Sequence, residues 1–339
     1  MIETVLGPIS ADALGATCMH DHLRVDASGL RRDGATPAPD HDDVRLETLG
    51  YLRWNMLSSA DNLRLNDDDL AARELSLAAV LGQRAVVECS SIGLGPTHAS
   101  LPAISRASGV AVISAYGFYV PYALPGWVGE LDEEQLESHL FEALTVAVPG
   151  TSFRAGLLGI MGTTAQFAPR EREMLRAASR AGARTGASVS VRLDPEAARG
   201  VEVVELMTAE GLPADRIIFT NADEYMDAGY WAELADAGAV LEMCFGTEAV
   251  HPGRVDNPSD RERLSFFGRF AGDHPQARHV LGLSTWTKAQ LAAYGGYGYS
   301  YLLARIVPEL AERGIAADRL DAMLVDEPRR LLDRVVPGL

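Results

Sequence analysis

The chain has 339 residues, with 30 basic against 47 acidic side chains and a formal net charge of −17 at pH 7. So large an acidic excess argues against nucleic acid or an anionic membrane surface as partner, and 47% hydrophobic residues suffice for a large core. No run of about 18 apolar residues marks a membrane span and Met1-Ile2-Glu3 lacks a signal-peptide pattern, so the expectation is a cytoplasmic protein.

Taken in order, residues 4–9 read as a strand broken by Gly7-Pro8, a small β cap ahead of the main fold. Residues 15–23 form a short apolar strand ending in His20 and His22. Residues i and i+2 of a strand share a face, so the two imidazoles address one site, and a His-x-His pair of this kind is a common start to a metal centre. Residues 31–43 are rich in Asp, Pro and Gly and read as a loop above that strand. Asp67-Asp68-Asp69 opens an amphipathic helix running to Leu81, with acids at its positive end.

Beyond it, short apolar strands at 85–88, 111–115, 157–161, 188–193, 217–220, 239–243 and 280–283 alternate with helical stretches such as 132–146, 170–185, 196–210, 226–237 and 260–270. With the His20 strand this makes eight. Continuous apolar strands between amphipathic helices predict an α/β fold with a parallel sheet, and eight predict a (β/α)8 TIM barrel, residues 1–339 as a single domain with a short N-terminal β cap. The lack of a GxGxxG motif after the first strand counts against an open doubly wound sheet.

Function in such barrels sits at the C-terminal strand ends. These ends carry His20 and His22, Glu88, Tyr116, Arg192, Asn221 and Asp223, Glu242 and Cys244, and Ser284, with Lys288 just beyond. Lys288 is the only lysine; the other 29 basic residues are arginine, a bias that fits a GC-rich bacterial genome. Cys18, Cys89 and Cys244 are an odd count in or beside strands, expected as buried reduced thiols. Tyr119, Tyr122 and Trp127 follow the third strand as candidate walls of an aromatic pocket, His98 and His251 read as solvated loop residues, and the loop 246–261 reads as a lid.

The block 4–9, the histidine motif 15–23, Ser91-Ile92-Gly93-Leu94-Gly95, Tyr116-Gly117-Phe118-Tyr119, Arg154-Ala155-Gly156, Tyr294-Gly295-Gly296-Tyr297-Gly298-Tyr299 and Pro328-Arg329-Arg330-Leu331 resemble, in that order, motifs of the phosphotriesterase family of the amidohydrolase superfamily, in particular its phosphotriesterase-related branch. The resemblance implies a homodimer and two divalent metals. Their ligands are two strand-one histidines, a strand-four carboxylated lysine or glutamate, histidines from strands five and six, and a strand-eight aspartate. Carried across, only His20 and His22 match. The bridge falls at Gly159 or Ile160, the strand-five histidine at Arg192, the strand-six histidine at Asn221 and the aspartate at Ser284 or Thr285.

With the metal centre degenerate, no metal or other cofactor is expected; at most a weakly held single divalent ion remains for His20 and His22. The sequence then points to metal-independent acid/base chemistry (hydrolysis, elimination or cyclisation) on a small anionic molecule, of the kind found in specialised metabolism. His20, His22, Asp223 and Lys288 are the catalytic candidates, with Asp223 expected to fix a histidine tautomer. Arg192, Asn221, Ser284, Tyr119 and Trp127 are the substrate-binding candidates, Arg192 supplying the positive charge. A non-catalytic small-molecule-binding protein is the alternative, and an active metal-dependent lactonase or esterase ranks last.

Overall fold

The structure, a computed structural model, describes residues 1–334, so the last five residues of the expected domain lie outside it. Eight parallel strands form one sheet in chain order. They are β1 (Thr17–Asp21), β2 (Ala85–Glu88), β3 (Ala111–Tyr116), β4 (Leu157–Gly162), β5 (Val189–Arg192), β6 (Ile217–Thr220), β7 (Val240–Cys244) and β8 (His279–Gly282). The circle closes between first and last: the N–H groups of Leu283 and Ser284 donate to the His20 carbonyl at 2.9 and 3.0 Å. Gly282 permits that approach, since a Cβ there would stand 2.7 Å from the Cβ of His20. The fold is a (β/α)8 barrel.

Side-chain alternation builds two cores. Along β2, Ala85 and Val87 turn into the barrel with Met19, Ile113, Ile218 and Val280. Val86 turns outward with Val112, Leu75 and Ile104, against the helices. Those helices are α1 (Asp68–Val80), α2 (Leu101–Ser108), α3 (Glu133–Thr145), α4 (Pro169–Thr185), α5 (Gly200–Ala209), α6 (Ala228–Asp236) and α7 (Asp260–Asp273). Asp67 caps α1 by accepting from the Leu70 N–H at 2.8 Å, as the acidic start of that segment predicts. None of the helices among the described residues is long and apolar enough to cross a membrane. Cys18, Cys89 and Cys244 are buried and free.

Two local expectations change. Residues 4–9 form no strand: the chain turns already at Val5-Leu6, where the Gly7 N–H donates to the Thr4 carbonyl at 3.0 Å, and the cap reduces to a single antiparallel bridge between Ile2 and Ile9. The helix expected over 196–210 begins only at Gly200, because Asp194 and Pro195 hold the chain in a turn after β5.

Candidate active site

His20 lies on β1 and His22 one residue past its end, so the strand pleat aims both rings at the mouth of the barrel. Their Nε2 atoms are 3.1 Å apart. On its other side, the His22 ring meets Ser90 Oγ at 3.0 Å through Nδ1. His20 Nδ1 faces Thr220 Oγ1 at 2.5 Å, Glu242 Oε2 at 3.3 Å and Cys244 Sγ at 3.5 Å. Burial, and then the neighbouring His20, hold the pKa of His22 well below the ordinary imidazole value, so this ring is neutral at pH 7.

Both histidines open onto a cavity of about 370 Å³. Its wall carries Ile160 from β4, Arg192 from β5, Asn221 after β6 and Ser284 after β8, together with Tyr119, Glu224 and Trp286. The positions equated above with the family's metal ligands therefore converge on one space. Asn221 and Ser284 adopt positive φ values of 53° and 54°, and these left-handed turns come immediately beside the substrate-sized space. Arg192 donates through Nη2 to Glu224 Oε2 at 2.5 Å. Burial pushes the Glu224 carboxyl above its usual range, against the pull of Arg192. From 246–261, Arg254, Val255, Asp256 and Asn257 line the cavity, with strands Val250–His251 and Val255–Asp256 paired as a small ribbon.

Other expected residues are placed elsewhere. Asp223 does not reach a histidine: its carboxylate accepts from the Cys244 N–H at 2.7 Å and from Arg263 Nε at 2.6 Å, and Arg263 is itself fully buried. Lys288 begins a short 3-10 turn that leads away from the mouth, pairs with Asp61 and lines a separate cavity with Leu23, Tyr294 and Tyr299. Trp127 packs on His139, with ring centroids 5.3 Å apart, beside an outer groove, and Tyr122 is exposed. His98 and His251, expected in solvent, are buried. Burial pushes the Glu88 carboxyl up to about 7; one of its oxygens accepts from the Leu23 and Ser90 N–H groups at 3.3 Å, and the other has no partner.

Sequence reading missed Ser90, Thr220, Glu224 and Trp286. Ser90 carried a usable signal, since it stands two residues past Glu88, on the same face of the strand extension.

The donor set does not fit a binuclear centre. Ile160 offers no donor atom and Arg192 brings a permanent positive charge, while Asn221 and Ser284 supply only neutral oxygens or an amide. Among the described residues, one other group gathers metal-type donors: His20, Glu242 and Cys244, with ligand atoms within 4.8 Å of one another. Glu242 and Cys244 lie behind the His20 ring, off the cavity wall, and burial, then Glu242 and Asp223, push the Cys244 thiol well above its usual value.

The model of the Phosphotriesterase family matches residues 1–332. An N-acetyltaurine hydrolase of Tetraodon nigroviridis is 29% identical, over 98% of this chain and 97% of its own. The crystal structure of a resiniferatoxin-binding protein from Rhodobacter sphaeroides superposes with a TM-score of 0.93 at 30% identity, covering 100% of this chain and 96% of that one. The lactonase Lmo2620 of Listeria monocytogenes shares the fold, with a TM-score of 0.79 at 20% identity over 98% of this chain and 99% of its own.

Proposed function

The chain belongs to the phosphotriesterase family, and from that premise we propose a hydrolase of small anionic molecules that works by acid/base chemistry on its own side chains. The observation that carries this reading is the His20–His22 pair at the floor of a cavity whose remaining family ligand positions hold Ile160, Arg192, Asn221 and Ser284. The binuclear arrangement that the family resemblance implies needs an anion to bridge its two ions, and none of these four residues is one.

In this reading Arg192 receives the anionic group. Glu224 takes one of its N–H groups and leaves the rest of the guanidinium fork for the substrate. Asn221 and Ser284 orient the scissile group and Tyr119 walls the space. Water attacks the acyl carbon, and the proton it loses passes to His20 and then to the departing atom, so charge is returned to its starting state. N-acylated amino sulfonates and carboxylates are the substrate class, supported by the name of the Tetraodon nigroviridis relative and by the two arginines of the wall, Arg192 and Arg254. The protein acts as a cytoplasmic homodimer.

One observation favours a second reading, a binder without turnover: the match to a protein named for binding resiniferatoxin. Metal content by mass spectrometry, on protein produced with added Zn, Mn and Co, tests the main proposal together with N-acetyltaurine hydrolysis before and after chelation. The expected result is below about a tenth of an equivalent per chain with turnover that survives chelation; a stoichiometric ion overturns the metal-independent mechanism. No turnover of any N-acyl amino acid or sulfonate, with tight binding retained, favours the binder.

A further inference from the structure

Behind the cavity floor a chain of buried polar groups runs from Ser90 past β2, through His22 just past β1 and His20 on it, to Glu242 on β7. We infer that Glu242 and Ser90 are positioning residues that lock the two histidines into complementary neutral tautomers, His20 protonated on Nδ1 and His22 on Nε2. The inference deepens the acid/base reading above and rests on it for its consequence, though not for its geometry.

The argument is an accounting of donors and acceptors. The 3.1 Å contact between the two Nε2 atoms needs one N–H and one lone pair. Two neutral arrangements satisfy it. In the first, His20 carries its proton on Nε2 and His22 on Nδ1. His20 Nδ1 then turns a lone pair towards Glu242 Oε2, 3.3 Å away, for which it is the one hydrogen-bonding neighbour among the described residues. The other oxygen of that carboxylate has no partner at all. A carboxylate 2% exposed and without a donor is costly.

In the second arrangement, the His20 Nδ1–H faces Glu242 Oε2 and Thr220 Oγ1, the His22 Nε2–H donates to His20 Nε2, and the Ser90 hydroxyl donates to His22 Nδ1 at 3.0 Å. Each ring nitrogen has a partner of the right kind, and Glu242 gains its donor. His20 Nε2 is then the basic atom at the cavity floor. When it takes a proton, the imidazolium holds Glu242 through Nδ1, and His22 passes its own proton from Nε2 to Nδ1, towards Ser90 Oγ, so that its Nε2 accepts the new N–H. Glu242 acts through His20 and does not line the cavity.

The test is long-range proton–nitrogen NMR of the full chain labelled with 15N-histidine, at neutral pH. The expected spectrum has His20 protonated on Nδ1 and His22 on Nε2, assigned by His20→Asn and by His22→Asn. Glu242→Leu is expected to release His20 to the Nε2 tautomer. Glu242→Gln, whose amide oxygen still accepts, restores the Nδ1 tautomer but lowers kcat by about 100-fold with KM unchanged, because the anion is gone. A wild-type His22 protonated on Nδ1, or a charged imidazolium at either position, overturns the inference. The wild-type spectrum decides even where Glu242→Leu fails to fold. It also needs no turnover, so a chain inactive in every assay sinks the hydrolase reading and leaves the tautomers to be judged separately.

Discussion

Arg192 and Glu224, neighbours through the β5 and β6 strand ends, form an ion pair on the cavity wall, with Nη2 and Oε2 2.5 Å apart. The pair keeps a guanidinium charged and oriented where the family would place a histidine. If Arg192 is the anion receptor, Arg192→Met raises KM for N-acetyltaurine by about 10- to 100-fold, the range of a lost charge-assisted hydrogen bond. Arg192→Lys recovers little of it, because an ammonium cannot satisfy Glu224 and a second anion in one plane. Steady-state kinetics of the two variants checks both points.

His20 separates the catalytic and binding readings. His20→Asn is expected to lower kcat by about 100-fold or more while the dissociation constant for N-acetyltaurine stays within a factor of about three. Single-turnover kinetics and calorimetry on the same variant measure the two quantities. Equal losses in both would place His20 in binding alone.

Burial raises the Glu88 carboxyl to about 7 from an ordinary 4.5, so the folded chain holds this proton where the unfolded chain releases it. Glu88 therefore lends full stability below pH 4.5 and loses it as pH rises towards 7, by about 3 kcal/mol in all. Glu88→Gln removes that dependence. Relative to the wild type, the variant is expected to gain stability between pH 5 and pH 8, as read from urea unfolding at both values.

His279 runs the opposite way. Burial among Trp231, Phe267 and Phe270 pushes it down to about 3, and neither ring nitrogen has a partner. The unfolded chain takes up a proton below pH 6.5 that the folded chain refuses until about 3, so stability present above 6.5 is lost as pH falls. His279→Leu is expected to stabilise the fold, and more at pH 5 than at pH 8. Thermal unfolding at the two pH values tests the sign.

Arg263 is fully buried between Asp223 and Asp260. Arg263→Leu strands two buried carboxylates and is expected to cost about 3–5 kcal/mol, measurable by denaturant titration. Asp223→Asn should act in the same way, on stability, without changing the histidine tautomers seen by NMR.

The barrel was legible because its strands are unbroken apolar runs whose order alone fixes a parallel sheet, and the rim residues followed from where those runs stop. The partners of rim residues were not legible. Asp223 and Glu224 are adjacent, yet one 3-10 turn sends Asp223 inward to Arg263 and Glu224 out to Arg192. Nothing in the local sequence ranks those two cations. Lys288 fails for a similar reason: closeness to β8 in the chain suggests the mouth, but its backbone N–H is taken by the Asn62 carbonyl and its ammonium by Asp61, both brought in from far upstream. Periodicity reports which face a side chain takes, and long-range pairing decides whom it meets there.

At the seam of the barrel one main-chain carbonyl, that of His20, receives the N–H groups of Leu283 and Ser284, and the Asp21 carboxylate receives that of Thr285. Any residue but proline at 283 and 284 can offer the same amides, so this part of the closure places little demand on the cavity-facing side chains there. A scaffold joined in this way can carry Ile160, Arg192, Asn221 and Ser284 beside the two histidines and still close, which frees its chemistry to change without its architecture.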